Sequence, residues 1–233
     1  AGGGNGTLLS RFNTLAAATA AMGSTTNQRI FVYTGTQTSG AGVTLPASGW
    51  LVGQGVTGAS FDAVMGIAPP AGTVARPAVG LTHPIIQGTV NMNGGNTQVR
   101  GLRIQPPASS KGLAATLAGP FTGLVVSDIP NVTTNGARAV DLANVSGTFA
   151  LTSVNASGAD IGINLSSVNP SSGSFAVTGT GGTCTAASPT CSGGTITGSS
   201  DTGVKLTSAK NVSLTRMRLN GSTNFGLNGS TVT

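Results

Sequence analysis

Residues 201–206 read DTGVKL and residues 224–229 read NFGLNG, so Gly203 recurs as Gly226 after 23 positions. In both segments the glycine is followed by an apolar residue. The same short motif occurs as GLAA from Gly112 and GINL from Gly162, and as AVDL from Ala139, where alanine replaces the glycine. A motif that returns at nearly constant intervals indicates one structural unit repeated along the chain.

A second motif lies between successive copies of the first. It reads TQVRGLRI, TGLVVSDI, GTFALTSV, GSFAVTGT and NVSLTRMRL, and each copy contains two apolar residues separated by one position. This alternation predicts strands with one buried face. About three short strands in each repeat predict one coil of a parallel β-helix, whose strands stack about 4.8 Å apart. Because one coil cannot bury its own inner face, we expect stability to come from stacking several coils.

The composition favours strands and turns and argues against several classes of partner. Glycine contributes 37 residues, charged residues make up 7% of the chain, and the acidic residues are all aspartate. The net charge is +6, but the basic residues are dispersed and aromatic residues make up only 4%. We therefore expect no nucleic-acid binding, which needs a basic patch and aromatic stacking platforms. No apolar run approaches the ~20 residues of a membrane helix, so no membrane span is predicted in this segment.

The N-terminal region predicts a cap for the first coil. Residues 4–35 and 42–55 read GNGTLLSRFNTLAAATAAMGSTTNQRIFVYTG and GVTLPASGWLVGQG. Phe12, Leu15, Thr19 and Met22 share one side of a short helix that Gly23 can end. Residues 1–28 are accordingly predicted to form a cap region that covers exposed strand edges.

With its repeats and this opening, the chain resembles the right-handed parallel β-helices of the pectate-lyase-like superfamily. It is most similar in character to large secreted bacterial surface proteins and adhesins. The resemblance implies an all-β, right-handed solenoid of about 23-residue coils with a short N-terminal capping helix. We expect residues 1–233 to form a single domain of seven or eight coils that continues beyond Thr233 in the natural chain.

The two cysteines predict a clamped loop. The interval from Gly162 to Gly203 is about 41 positions and contains Cys184 and Cys191, so residues 181–194 are interpreted as an insertion into one repeat. Their spacing permits a loop-closing disulfide, and two thiols alone make a poor zinc site. A structural disulfide indicates an oxidising environment, so we expect an extracellular or cell-surface location.

Two sets of polar residues are candidates for binding. In the first motif the residues one and three places after the glycine face the core, so the residue between them points outward. On successive coils these residues form an outward column that includes Asp141, Asn164, Lys205 and Asn228. This column could contact carbohydrate, or it could be an ordinary solvated face. Two residues before the motif's glycine stand Asp160 and Asp201, on what we expect to be neighbouring coils. They could share a calcium ion, or they could be turn residues that accept backbone hydrogen bonds.

The sequence favours a structural and adhesive function over catalysis. Polygalacturonase-like members of the superfamily carry paired aspartates, a Gly-His-Gly and an Arg-Ile-Lys motif, and none of these occurs here. We expect a rod-like segment of a secreted bacterial protein, with no cofactor unless it is calcium. Its expected partners are a surface glycan or protein of a host or neighbouring cell, and further domains of its own chain. The alternatives are a carbohydrate-active lyase or hydrolase using Asp141, Lys205, Asp160 and Asp201, or a segment of a phage fibre.

Overall fold

The computed structural model describes residues 10–38, 42–68, 75–116, 119–169, 171–185, 187 and 191–233. Within these residues the chain forms two short helices, α1 Leu15–Met22 and α2 Phe61–Met65. The strands are β1 Arg29–Val32, β2 Thr36–Thr38, β3 Val43–Leu45, β4 Trp50–Gly53, β5 Ile85–Gln87, β6 Val90–Met92, β7 Gln98–Arg100, β8 Arg103–Ile104, β9 Leu113–Ala115, β10 Phe121–Asn135, β11 Val140–Ser157, β12 Ile161–Val168, β13 Ser174–Val177, β14 Thr195–Thr197, β15 Thr202–Thr207, β16 Val212–Leu214, β17 Arg218–Asn220 and β18 Phe225–Ser230.

The strands are parallel, and each short strand pairs with the strand three places further along the chain. Thus β1 pairs with β4 and β4 with β7, while β3 pairs with β6 and β6 with β9. The long strands β10 and β11 each occupy the positions of several short strands. For example, β10 pairs with both β7 and β8. The chain therefore curls round an axis as an all-β, parallel fold, as the repeats predicted.

The core lies inside this curl and is built from the alternating apolar residues. Val140 and Leu142 in β11 are fully buried, as are their neighbours Ile163 and Leu165 in β12. Phe149 pairs with Phe175 of β13, and their ring centroids lie 6.2 Å apart. Since successive residues of a strand point to opposite faces, this pattern leaves every second side chain on the outer face.

Sharp bends within the long strands rely on asparagine and aspartate. Asp128 in β10 has φ 53° and Asn144 in β11 has φ 52°. The register between β10 and β11 shifts between Val126 and Ile129, on either side of Asp128. Asn and Asp tolerate this left-handed conformation better than other residues with a side chain, so they can turn a strand without a glycine.

Helix α1 lies where the sequence predicted a helix. The Thr14 side chain accepts a hydrogen bond from the Ala17 amide at 3.1 Å, and Gly23, with φ 57°, ends the helix. Leu15 and Met22 are buried, and the helix contacts β1 and β3. Helix α2 was not predicted, although Ser60 caps its first turn and Gly66 ends it in the left-handed conformation. Neither helix in the described ranges is long and apolar enough to cross a membrane.

The two cysteines lie at disulfide distance, as predicted. The Cα atoms of Cys184 and Cys191 are 5.2 Å apart, and Cys191 is 8% exposed. Of the predicted insertion 181–194, residues 186 and 188–190 lie outside the described residues.

Removing this bond should destabilise the protein modestly. Replacing both cysteines by serine is expected to lower the free energy of unfolding by about 2 kcal/mol, because a short closed loop restricts the unfolded chain only a little. Urea denaturation of the variant and of the reduced wild type should give the same result. An unchanged midpoint in both would contradict a stabilising role for the bond.

Candidate functional site

The strand register places the predicted outward residues in one line. Asp141 of β11 pairs with Asn164 of β12, Asn164 with Lys205 of β15, and Lys205 with Asn228 of β18. In the other direction the line continues through β9, β6 and β3. We call these seven positions the outward column: Thr44, Asn91, Ala114, Asp141, Asn164, Lys205 and Asn228.

Asp141 does not face solvent, although strand alternation predicted that it would. Its side chain is only 3% exposed, because two basic side chains cover it. Lys111 forms an ion pair with its Oδ2 atom, and an Arg138 guanidinium nitrogen lies 3.2 Å from its Oδ1. Asn164 donates a further hydrogen bond to Oδ1 at 2.8 Å. An outward position on a strand is therefore buried here by long neighbouring side chains.

These contacts keep Asp141 ionised. Burial alone would raise the pKa of the Asp141 carboxyl, but the hydrogen bonds from Asn164 and Lys111 and the charges of Lys111 and Arg138 hold it below its ordinary value. A general acid at neutral pH needs a raised pKa. Asp141 is also covered on its open side, so its arrangement suits a fixed structural charge better than proton transfer.

Asp160 and Asp201 lie on neighbouring strand ends, but their carboxylates have other partners. The Asp201 amide donates to the Asp160 carbonyl at 3.0 Å. Arg138 Nε contacts both carboxylate oxygens of Asp160 at 3.1 Å, and Asn224 donates to Asp201 at 2.6 Å. A cation shared by the two carboxylates would have to displace Arg138 and Asn224. Among the described residues, no group of three or more His, Cys, Asp or Glu side chains could hold a metal ion.

The hydrogen bond between Arg138 and Asp160 stabilises the charged form of both side chains. It is the main cause that lowers the pKa of the Asp160 carboxyl and raises the pKa of the Arg138 guanidinium. Arg138 therefore bridges two carboxylates, one buried and one 52% exposed. We call Lys111, Arg138, Asp141, Asp160 and Asn164 the charged cluster; its residues lock one another in place at the centre of the outward column.

A shallow groove of about 230 Å³ adjoins the charged cluster. Ala114 lines it, and because alanine has no side chain beyond Cβ, the outward column has a gap at this position. Asn91 and Thr44 continue the column on one side, and Lys111 borders the groove on the other. The Oδ1 atom of Asn91 is buried and has no hydrogen-bond partner in the described part of the chain. This atom has almost no accessible surface, so only the other atoms of the half-buried Asn91 side chain can contact a ligand in the groove.

A second polar cluster was not predicted from the sequence. Arg100 Nε donates to Ser127 Oγ at 3.1 Å, and an Arg100 nitrogen lies 3.8 Å from an Asp128 oxygen. Burial and the charge of Arg103 lower the pKa of nearby His83, although Asp128 opposes the shift. These residues lie on strands and turns far apart in sequence, so no short motif could have indicated them.

Lys111 and Arg138 were also missed, but a signal for them exists. Each stands immediately before a copy of the first motif, Lys111 before Gly112 and Arg138 before Ala139. Aligning the repeats would have placed both beside the outward column. Their contacts with Asp141 depend on the conformations of long side chains, which the repeat does not determine.

No protein-family model matches the chain, and no curated protein or solved structure is significantly similar to it. The geometry of the outward column is therefore the basis for assigning a function.

Proposed function

We propose that the chain is a right-handed parallel β-helix segment of a secreted or cell-surface bacterial protein, and that it works as an adhesive rod. In this proposal the outward column and the groove beside it bind a glycan. The curled parallel sheet supports a β-helix, since each set of three strands stacks on the next. The paired cysteines agree with an oxidising location.

The observation that carries the proposal is the groove at the gap in the outward column. It combines the gap that the short Ala114 side chain leaves in the column with polar side chains of Thr44, Thr89 and Asn91. Sugar rings present hydroxyl groups round an apolar body, and pockets with a few placed polar groups recognise such ligands. The half-buried Asn91 side chain, which lines the groove, gives a sugar hydroxyl a polar group to contact.

The charged cluster supports binding over cleavage. Glycoside hydrolysis by two carboxylates requires one of them to be protonated at the working pH. Of the three candidate carboxyls, Asp141 and Asp160 have lowered pKa values and are held by Arg138, and Asp201 accepts a hydrogen bond from Asn224. The charged cluster is therefore suited to holding the side chains of the outward face in fixed positions beside the bound ligand.

A glycan array with the purified protein tests this proposal. We expect binding to at least one glycan, and we expect Asn91→Ala to weaken that binding about tenfold by removing a hydrogen bond to the ligand. Asn220→Ala is the matched control, because Asn220 is exposed on β17 and lies outside the outward column. Equal affinity of the two variants, or no binding to any glycan, would contradict the proposal.

A further inference from the structure

One corner of the curled sheet contains the same asparagine–glycine pair twice. Asn135 ends β10 and is followed by Gly136, and Asn220 ends β17 and is followed by Gly221. All four residues are exposed, and the two glycines have φ values of 75° and 66°. The two pairs therefore match in residue type, exposure and the backbone conformation of the glycine.

Main-chain hydrogen bonds connect this corner from one strand end to the next. The Gly136 amide donates to the Ser157 carbonyl at 2.7 Å, and the Gly198 amide donates to the Asn220 carbonyl at 3.0 Å. The Gly221 amide, in contrast, has no acceptor among the residues that the structure describes. The two asparagine–glycine pairs thus differ in whether the amide of the glycine is bonded.

The neighbouring strands hold Asn135 more firmly than Asn220. Asn135 pairs with Ser157 of β11 on one side, and on the other side its carbonyl accepts a hydrogen bond from the Ser109 amide at 2.7 Å. Asn220 pairs with Thr197 of β14, on the side where its carbonyl is bonded. Asn135 is therefore fixed from two sides and Asn220 from one.

This difference controls a reaction that asparagine undergoes when glycine follows it. The glycine nitrogen can attack the side-chain carbonyl carbon of the asparagine, and glycine favours the approach because it has no Cβ to obstruct it. To reach that carbon, the nitrogen must turn about the Cα–C bond of the asparagine. At Asn135 the rotation breaks the hydrogen bonds of both the carbonyl and the Gly136 amide. At Asn220 it breaks only the bond that the carbonyl accepts from Gly198.

We propose that Asn220 is a site of spontaneous deamidation, whereas Asn135 is protected. The Gly221 nitrogen loses its proton and bonds to Cγ of Asn220, the bond between Cγ and Nδ2 breaks, and ammonia leaves with that proton. Water then opens the resulting succinimide at either carbonyl, which gives aspartate or isoaspartate. Either product has a carboxylate in place of a neutral amide, so the net charge falls by one from +6.

Peptide mapping by mass spectrometry measures both sites in the same molecules. The full chain would be incubated at mildly alkaline pH, which favours loss of the proton from the glycine nitrogen, and sampled over time. We expect Asn220 to deamidate at least about fivefold faster than Asn135, because one main-chain hydrogen bond fewer has to break. Equal rates at the two sites of the folded protein would overturn the proposal.

Unfolding the chain separates the effect of structure from that of sequence. In concentrated urea the protecting hydrogen bonds are absent, so Asn135 and Asn220 should react at similar rates. A difference that persists unchanged in urea would overturn the explanation from hydrogen bonding.

A substitution at Gly221 tests the route through the succinimide. Gly221→Ala should slow the reaction at Asn220, because a Cβ hinders the attacking nitrogen. Asn135 should keep its slow rate in this variant, which shows that the sheet remains folded. Gly158→Ala is the matched control, since Gly158 lies at the same corner with φ 65° but follows Ser157. An unchanged rate at Asn220 in Gly221→Ala, or equal slowing by both substitutions, would overturn cyclisation through Gly221.

Discussion

Replacing Asp141 by alanine is expected to lower the free energy of unfolding at pH 7 by about 3 kcal/mol. The carboxylate is 3% exposed and accepts contacts from Lys111, Arg138 and Asn164. Its loss leaves two basic side chains side by side and removes the acceptor of the Asn164 amide. Lys111 is 42% exposed and can turn to solvent, which places the cost at the low end for breaking a buried ion pair. Urea denaturation followed by circular dichroism measures the effect.

The same carboxylate predicts a dependence of stability on pH. Its folded-state pKa lies below the ordinary value of 3.8, so its contribution is complete above that value and is lost as the pH falls through the folded-state value. The stability difference between wild type and Asp141→Asn should therefore shrink in strong acid. Asp62→Asn is the control, because the Asp62–Arg76 pair is partly exposed and should contribute at most about 1 kcal/mol. A difference that stays constant down to strong acid would contradict the assignment.

Replacing Phe149 by alanine should have the largest effect on stability, about 3–5 kcal/mol. The Phe149 side chain is fully buried and packs beside Phe175, with the ring centroids 6.2 Å apart. The parallel sheet on either side cannot close the cavity without moving whole strands, so little relaxation is expected. Calorimetry or urea denaturation of the variant measures the loss.

Phe225→Ala provides the matched control for this prediction. Phe225 begins β18 and is 55% exposed, so its loss should change the free energy of unfolding by no more than about 0.5 kcal/mol. Similar effects of the two substitutions would mean that the core does not lie inside the curled sheet at Phe149.

The outward column could be predicted from the sequence because strand alternation has a strict period of two. Once Val140 and Leu142 are taken as inward, Asp141 must stand on the other face, and the repeat aligns it with Asn164. The burial of Asp141 could not be predicted this way. It depends on Lys111 and Arg138, whose long side chains have many conformations and reach it from positions outside the alternating pattern.

A cavity of about 780 Å³ at the β1 end of the sheet could not be predicted from the repeat. It forms where α1, α2 and β1 meet, and Arg29, Phe61 and Arg76 are distant in sequence. Helix α2 lacks a long amphipathic pattern, since its five residues complete little more than one turn. Only the capping residues Ser60 and Gly66 indicated it. Such contacts arise from tertiary packing, which periodicity does not describe.

The central claim is that the outward face binds a glycan without cleaving it. The most direct test is to analyse the products of a glycan that binds on the array. The glycan would be incubated with the protein, with and without calcium, and examined by mass spectrometry. We predict intact glycan in both conditions, because Asp141 and Asp160 are ionised and held by Arg138. Shortened or unsaturated products that disappear with Asp141→Asn would contradict this account and identify the charged cluster as a catalytic centre.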